Sequence, residues 1–181
     1  MVYLFLAQGF EEAEAVVPAD VLRRAGVEVR LVGVGGRLIR GVNGIAVEAD
    51  IEEGEAKLEG LEMIVLPGGA PGYINLEKSA VVQKFIDFAF EKGIWIGAIC
   101  AAPSILGRKG LLKGKNAICY PGHEGALEGA AISPLAVCED GNIITAKGPG
   151  VSLEFGLALA AKLKGECRAK EISDAMQCSR I

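Results

Sequence analysis

Short apolar runs alternate with amphipathic segments along almost the whole chain of 181 residues. Buried strands are predicted at Val2–Ala7, Val27–Val34, Glu62–Leu66, Ile94–Ile99 and Asn142–Ala146. Helical patterns lie between and after them, at Glu12–Ala25, Glu53–Glu59, Ser79–Lys92, Ala101–Arg108, Val151–Leu163 and Glu166–Met176. Strands that alternate with helices predict an α/β fold, with a mainly parallel sheet covered by helices on both faces.

The remaining segments are less regular. Arg37–Val47, with Gly41 and Gly44, is predicted to form a hairpin-like excursion, and two weaker runs at Asn116–Cys119 and Leu135–Cys138 are candidate strands. We find no internal repeat or linker, so residues 1–181 are predicted to form a single domain. Active sites of such folds lie at the carboxyl ends of the strands. The residues that directly follow strands are therefore the first to examine.

Composition excludes several classes of function. The formal net charge is −4 and we find no basic stripe, so a nucleic-acid partner is not expected. The apolar runs fall short of the roughly 18 to 20 residues needed to span a membrane, so no membrane partner is expected either. The N-terminal segment lacks a basic leader and is predicted to be a first strand, which favours a cytoplasmic location.

Five cysteines are widely spaced, no CxxC pair occurs, and the chain has one histidine. A zinc site is therefore not expected. In a reducing compartment most free cysteines are small buried hydrophobic residues. We expect this of Cys119, Cys138, Cys167 and Cys178, and a Cys167–Cys178 disulfide has no support in the sequence.

Cys100 directly follows a predicted strand and precedes a predicted helix, within Ala98-Ile99-Cys100-Ala101-Ala102. Small neighbours permit a sharp turn, as in the nucleophile elbow of hydrolases. Free N–H groups at the start of the helix would favour a thiolate and lower the pKa of Cys100. The alternative is that Cys100 is only a small residue at a tight turn.

Three carboxylates, Glu11, Glu12 and Glu14, lie where the chain leaves the first strand and enters a helix. Acidic residues there normally complement the helix dipole on a solvated surface, as we expect of Glu11 and Glu12. Helix geometry turns Glu14 away from at least one of them. An inward Glu14 beside a thiol would be partly desolvated and would hold a proton near neutral pH.

A glycine pair, Gly68-Gly69, follows a third strand within the stretch "LPGGAPG". Glycines there let the backbone approach a ligand closely. The Lys-Ser/Thr of a phosphate-binding P-loop is missing. We therefore predict that this segment donates backbone N–H groups to an oxyanion.

Taken together, these motifs resemble the ThiJ/PfpI superfamily, and most closely its branch of the Parkinsonism-associated protein deglycase. The motifs, in order, are Glu-Glu-x-Glu after the first strand, "VLPGG", "AICAAP" and "GPG" before a helix. The resemblance runs from Val2 to Leu163 and includes "RRAG" at 23–26. It implies a flavodoxin-like three-layer α/β/α sandwich, usually assembled as a homodimer.

The resemblance also implies roles for individual residues. Cys100 would be the nucleophile and Glu14 the protonated acid that faces it. The oxyanion donors would be the backbone N–H groups of Gly69 and Ala101, beside Gly68. The segment Lys147–Pro149 would lie near the rim of the pocket.

One position departs from the family pattern. Many members of this branch carry a histidine after the strand that follows the elbow, where this chain has Tyr120. The only histidine, His123, follows three residues later and is a candidate catalytic residue if the loop delivers it to the pocket. In the peptidase branch a histidine directly follows the nucleophile, and Ala101 at that place argues against peptidase chemistry.

The implied activity is that of a glutathione-independent glyoxalase or a protein deglycase, which needs neither cofactor nor metal. Its partners would be a small reactive aldehyde or an early glycation adduct on a protein. The same thiol would suit a redox sensor or stress chaperone, in which Cys100 is oxidised. Two further alternatives are a cysteine peptidase or amidase that uses His123 as its base, and a binding module with an unreactive thiol.

Overall fold

The structure, a computed structural model, describes residues 1–178. Its strands are β1 Val2–Ala7, β2 Val29–Val34, β3 Leu38–Arg40, β4 Ala46–Glu48, β5 Ile51–Glu52, β6 Met63–Leu66, β7 Trp95–Ile99, β8 Asn116–Ala117, β9 Ala131–Ile132, β10 Val137–Asp140 and β11 Ile143–Ala146. Its α-helices are α1 Glu12–Arg24, α2 Gly72–Lys78, α3 Ala80–Glu91, α4 Pro103–Arg108, α5 Ser152–Lys164 and α6 Glu166–Ala175.

A seven-stranded sheet forms the middle layer, in the order β10-β11-β7-β6-β1-β2-β5. All neighbouring strands are parallel except the edge hairpin of β10 and β11. Helices cover both faces, so the predicted three-layer α/β/α arrangement with a mainly parallel sheet is confirmed. The hairpin-like excursion is confirmed as the antiparallel pair of β3 and β4.

Two apolar cores lie on opposite faces of the sheet. Strand β1 contributes to both, because alternate side chains point to opposite faces. Val2, Leu4 and Leu6 pack in the core under α1 and α5, whereas Tyr3 and Phe5 pack in the core under α3 and α4. All six residues of β1 are buried, as expected for a central strand of a covered parallel sheet.

Three local predictions were wrong. Glu53–Glu59 forms only a 3₁₀ turn at Glu53–Glu55, because this polar segment has no buried residue to hold a longer helix. Helix α2 was missed, since it has seven residues and its first, Gly72, is itself the glycine of a Pro-Gly turn signal. The helix expected from Ala101 begins two residues later, at Pro103, because the elbow takes up the intervening residues.

The cysteines fall into two groups. All five are free thiols, and Cys119 and Cys138 are buried as expected. Cys167, on the outer helix α6, is exposed and Cys178 is only partly buried, so the expectation that they are core residues was wrong for both. Among residues 1–178, every helix is too short or too polar to cross a bilayer.

Candidate active site

Three adjacent strands bring the candidate residues to one edge of the sheet. Strand β6 lies between β1 and β7, and their carboxyl ends point the same way. Glu14 lies in the segment after β1, Gly68 in the segment after β6, and Cys100 directly after β7. Because β6 is the middle strand, Gly68 lies between Glu14 and Cys100.

Cys100 occupies a strained turn. Its φ is 65°, in the left-handed region that non-glycine residues rarely adopt. The Cys100 N–H donates to the carbonyl of Ala146 at 2.9 Å, and the Cys100 carbonyl accepts from the Tyr120 N–H at 2.8 Å. The turn is therefore held from both sides, and it has the geometry expected of a nucleophile elbow.

Gly68 leaves no room for a side chain between Cys100 and Glu14. A Cβ at this position would lie 2.7 Å from the Cβ of Cys100 and 2.8 Å from Oε2 of Glu14. It would also lie 3.1 Å from the backbone nitrogen of Ala101. Glycine at this position thus permits the close approach of the thiol and the carboxyl.

Two backbone N–H groups point at the sulfur of Cys100. They belong to Gly69, whose φ is 85°, and to Ala101. Both hydrogen bonds lower the pKa of Cys100. Within residues 1–178 neither group donates to a backbone oxygen, so both are free to bind an oxyanion.

Glu14 is fully buried, as predicted for an inward-facing residue. Its Oε2 accepts a hydrogen bond from the Gly68 N–H at 2.8 Å, and among the described residues its buried Oε1 has no hydrogen-bond partner. Burial raises the pKa of Glu14 to about 7, although the neighbouring Cys100 thiol and the Gly68 N–H oppose the rise. The expectation that this carboxyl holds a proton near neutral pH agrees with that value.

The expected depression of the Cys100 pKa was wrong. Burial is the largest effect, and together with the charge of Glu14 it raises the pKa of Cys100 to about 12. The N–H groups of Ala101 and Gly69 act in the predicted direction but are outweighed. Only 9% of Cys100 is exposed, so a thiolate there would lose most of its hydration. The resting pair is therefore a thiol beside Glu14.

Tyr120 and His123 lie on the loop that follows β8. The Tyr120 ring packs over Gly148, where a Cβ would approach it to 3.1 Å, so the "GPG" segment adjoins this loop. The His123 ring lies edge-on to Tyr73 and Tyr120, with centroid distances of 5.7 and 6.5 Å. Within the described residues, His123 is not among the groups that shift the pKa of Cys100, whereas Glu14 is. The structure therefore pairs Cys100 with Glu14 and not with the histidine.

Glu12 has a role that the sequence did not indicate. It is buried, and its carboxylate accepts hydrogen bonds from the N–H groups of Asn43 and Ile45 and from the Asn43 side chain. It therefore anchors the β3–β4 loop, and the expectation of a solvated surface acid was wrong. The sequence does not indicate the role of Asn43, because its contact with Glu12 spans 31 residues of sequence.

The described residues offer no cluster of metal ligands. Over residues 1–178, no group of three or more histidine, cysteine, aspartate or glutamate side chains is arranged to hold a metal ion. The polar groups that meet at Cys100 are one carboxyl and two backbone N–H groups. This set suits the binding and protonation of an oxyanion.

Comparison with known proteins finds relatives along nearly the whole chain. The chain is 34% identical over 173 residues to protein dj-1beta of Drosophila melanogaster, covering 94% of this chain and 92% of that protein. A crystal structure of Drosophila melanogaster DJ-1beta matches with a TM-score of 0.93 over 98% of this chain and 97% of that one, at 31% identity. Oxidised Toxoplasma gondii DJ-1 matches with a TM-score of 0.93 at 32% identity, over 97% of both chains.

Two relatives carry names that describe an activity. A glutathione-independent glyoxalase of Caenorhabditis elegans is 31% identical over 157 residues, which cover 86% of this chain and 83% of that protein. A deglycase of Pyrococcus abyssi is 30% identical over 152 residues, which cover 82% of this chain and 90% of that protein. The model of the DJ-1/PfpI family matches residues 1–162. From the sequence motifs, the fold and these matches together, the chain belongs to the DJ-1/PfpI family.

Proposed function

We propose that this protein is a cysteine-dependent enzyme that acts on small reactive aldehydes or early glycation adducts, without glutathione, cofactor or metal. The observation that carries the proposal is the placement of the buried Glu14 carboxyl beside the Cys100 thiol. Two free N–H groups, of Gly69 and Ala101, point at the same sulfur. The relatives named as a glyoxalase and a deglycase support this class of substrate.

The first step uses Glu14 as a base. Because the pKa of Cys100 is about 12 and that of Glu14 about 7, the thiol carries a proton and Glu14 is substantially ionised above neutral pH. Glu14 takes the thiol proton as sulfur attacks the aldehyde carbon of methylglyoxal. The C–S bond forms, the carbonyl π electrons move to oxygen, and the N–H groups of Gly69 and Ala101 bind the oxyanion. Glu14 then returns the proton to this oxygen, which gives a hemithioacetal.

The next steps transfer a proton between carbons. The Glu14 carboxylate removes the proton from the hemithioacetal carbon, which gives an enediolate. Glu14 returns that proton to the neighbouring carbon, and the hydroxyl proton of the first carbon moves to the neighbouring oxygen. The product is a lactoyl thioester of Cys100. Water then hydrolyses the C–S bond to release lactate and the free thiol, so the net reaction is methylglyoxal plus water to lactate. Deglycation would reach the same hemithioacetal from the hemiaminal of a glycated amine. The C–S bond forms as the C–N bond breaks, and the amine leaves with the thiol proton, which Glu14 relays.

Oxidation of Cys100 is the second candidate function. The buried Oε1 of Glu14 has no partner in ideal geometry, so a protonated Glu14 is able to donate a hydrogen bond to an oxygen placed on the sulfur. Two equivalents of peroxide convert the thiol to a sulfinic acid and give two waters. In peroxide titration followed by mass spectrometry, a sensor would gain two oxygens at Cys100 before the exposed Cys167 reacts.

Assembly as a homodimer in the cytoplasm is part of the proposal. A candidate face carries exposed apolar residues on α1 and on the adjoining hairpin, namely Val16, Leu38, Val42 and Ile45. Glu12, one turn before Val16, holds the loop that carries Val42 and Ile45, so these residues belong to one surface. Sedimentation of the wild type and of Val16→Lys tests this face: we expect a dimer that the substitution dissociates, and a monomeric wild type would contradict it.

Lactate formation from methylglyoxal without glutathione is the decisive test. We expect turnover by the wild type, loss of turnover in Cys100→Ala, and full turnover in the control Cys138→Ala, which removes another buried thiol. Absence of lactate from the wild type would contradict the aldehyde substrate. Unchanged turnover in Cys100→Ala would contradict the role of this thiol.

A further inference from the structure

The two short helices α2 and α4 begin shortly after the two proposed oxyanion donors, at Gly72 after Gly69 and at Pro103 after Ala101. The N–H of Tyr73, in the first turn of α2, donates to the carbonyl of Gly69 at 2.9 Å. The N–H of Ser104, in the first turn of α4, donates to the carbonyl of Ala101 at 3.1 Å. The carbonyl of each donor residue, which lies one peptide after its N–H group, is therefore tied to the helix that follows it.

A hydrogen-bonded bridge links these helices near their far ends. Arg108, the last residue of α4, donates from Nε and Nη2 to the two carboxylate oxygens of Glu77, in the last turn of α2, at 2.5 and 2.8 Å. The same Nη2 donates to Oγ of Ser104 at 3.1 Å. Ser104 is fully buried, and its hydroxyl donates to the carbonyl of Ala101 at 2.6 Å.

The bridge is thus a continuous path from Glu77 to the peptide next to the elbow. An exposed ion pair contributes little to stability on its own. This pair differs, because the guanidinium engages both carboxylate oxygens and also a buried hydroxyl, which fixes its direction. The Lys109 side chain adds a parallel link, since it donates to Gln83 at 2.9 Å and Gln83 donates to the carbonyl of Glu77 at 2.9 Å.

We propose that Glu77, Arg108 and Ser104 are positioning residues that hold the N–H donors of Gly69 and Ala101 at the spacing that the Cys100 sulfur and an oxyanion require. None of the three contacts the reacting atoms. They act through the carbonyls of Gly69 and Ala101, each of which is hydrogen-bonded to the first turn of the helix that follows it. The inference extends the proposed function of this site, but it concerns the reactivity of the thiol rather than the substrate.

The reactivity of Cys100 towards iodoacetamide tests the inference without reference to turnover. The alkylation rate is measured from pH 7 to 10.5, with Cys100 quantified by peptide mass spectrometry. In Arg108→Met, Glu77→Met and Ser104→Ala we expect the rate at pH 8 to fall roughly threefold or more, which corresponds to a pKa rise of about half a unit. The double variant of Glu77 and Arg108 should fall no further than the more affected single variant, because the pair acts as one unit.

Two controls separate positioning from other effects. Arg168→Met removes another half-exposed arginine that pairs with a carboxylate and a backbone carbonyl, on the outer helix α6, and should leave the rate unchanged. Arg108→Lys keeps the positive charge but loses the planar fork, and should behave as Arg108→Met does.

The outcomes that overturn the inference are distinct. Wild-type alkylation rates in Arg108→Met and Ser104→Ala, with or without a lower melting temperature, would show that the bridge is only structural. A wild-type rate in Arg108→Lys alone would show that charge rather than geometry acts on the thiol. A wild type that alkylates normally but forms no lactate would contradict the proposed substrate and leave this test intact.

Discussion

The backbone N–H of Gly68 donates a 2.8 Å hydrogen bond to the buried carboxyl of Glu14, although the two residues are 54 positions apart. The bond engages Oε2, and among the described residues the other oxygen, Oε1, is buried without a hydrogen-bond partner. It also opposes the rise in the Glu14 pKa that burial causes. The first two predictions concern this contact.

Replacement of Gly68 by alanine should damage the site. The new Cβ would lie under 3 Å from both the Cβ of Cys100 and Oε2 of Glu14, and neither is the end of a freely moving chain. We expect a loss of stability of about 1–3 kcal/mol from overpacking, and a larger proportional loss of lactate formation. Gly54→Ala is the matched control, because a Cβ there meets nothing within 4 Å. Full turnover in Gly68→Ala would show that the contact is not needed.

Turnover of the wild type should rise with pH through about 7. The base form of Glu14 accepts the thiol proton, and the pKa of Glu14 is about 7, so the active fraction increases as this carboxyl ionises. Glu14→Gln removes the base and should lower the turnover rate by about 10²- to 10⁴-fold. The pH–rate profile checks this. A rate that falls as pH rises from 6 to 8 would favour a protonated Glu14 as the essential form.

The ionisation of Glu14 should lower the stability of the fold as pH rises, whereas it should increase turnover. Burial raises the pKa of Glu14 in the folded state from 4.5 to about 7, so the folded state binds the proton more tightly than the unfolded chain. This stability is fully present below pH 4.5 and is lost as pH rises to 7, by at most about 3 kcal/mol. In urea unfolding, the free energy of unfolding of Glu14→Gln should rise relative to that of the wild type by up to this amount as the pH increases from 4.5 to 8. A difference that is constant with pH would contradict the shift.

Strain at the elbow is measurable with two substitutions of one residue. Cys100 has a φ of 65°, which costs non-glycine residues about 1 kcal/mol or more. Cys100→Gly should therefore be more stable than Cys100→Ala by about that amount, although both are inactive. The same pair at Cys138, inside strand β10, should show the reverse order. Equal stability of the two Cys100 variants would mean that the turn relaxes when the sulfur is removed.

His123→Gln should retain lactate formation within a few-fold of the wild type. The His123 ring contacts Tyr73 and Tyr120 edge-on, and within residues 1–178 it makes no hydrogen bond to Cys100. Loss of packing is then the main expected effect. Initial rates of lactate formation check the prediction, and a loss of a hundredfold or more would place His123 in the proton relay.

Local patterns in the sequence were sufficient to predict most of the architecture. Apolar runs such as Val2–Ala7 are buried on both faces only in a covered parallel sheet, so their alternation with helical segments identified the layers. The same patterns placed Cys100 after a strand, among small residues that permit a sharp turn. The role of Glu12 was misjudged because it depends on Asn43, a partner far along the chain. Helix α2 was missed because it is too short to show a helical period.

The sequence by itself determined which residues reach the carboxyl edge of the sheet, because the position of a residue directly after a strand and the chemistry of a turn are local properties. Only the tertiary structure decided the electrostatics of the site. Burial depends on every element packed around a group, so the pKa of Cys100 rose where helix-terminus reasoning predicted a fall. Likewise, the contact of Gly68 with Glu14 and the bridge from Glu77 to Ser104 join segments that are distant in sequence, and no local pattern encodes them.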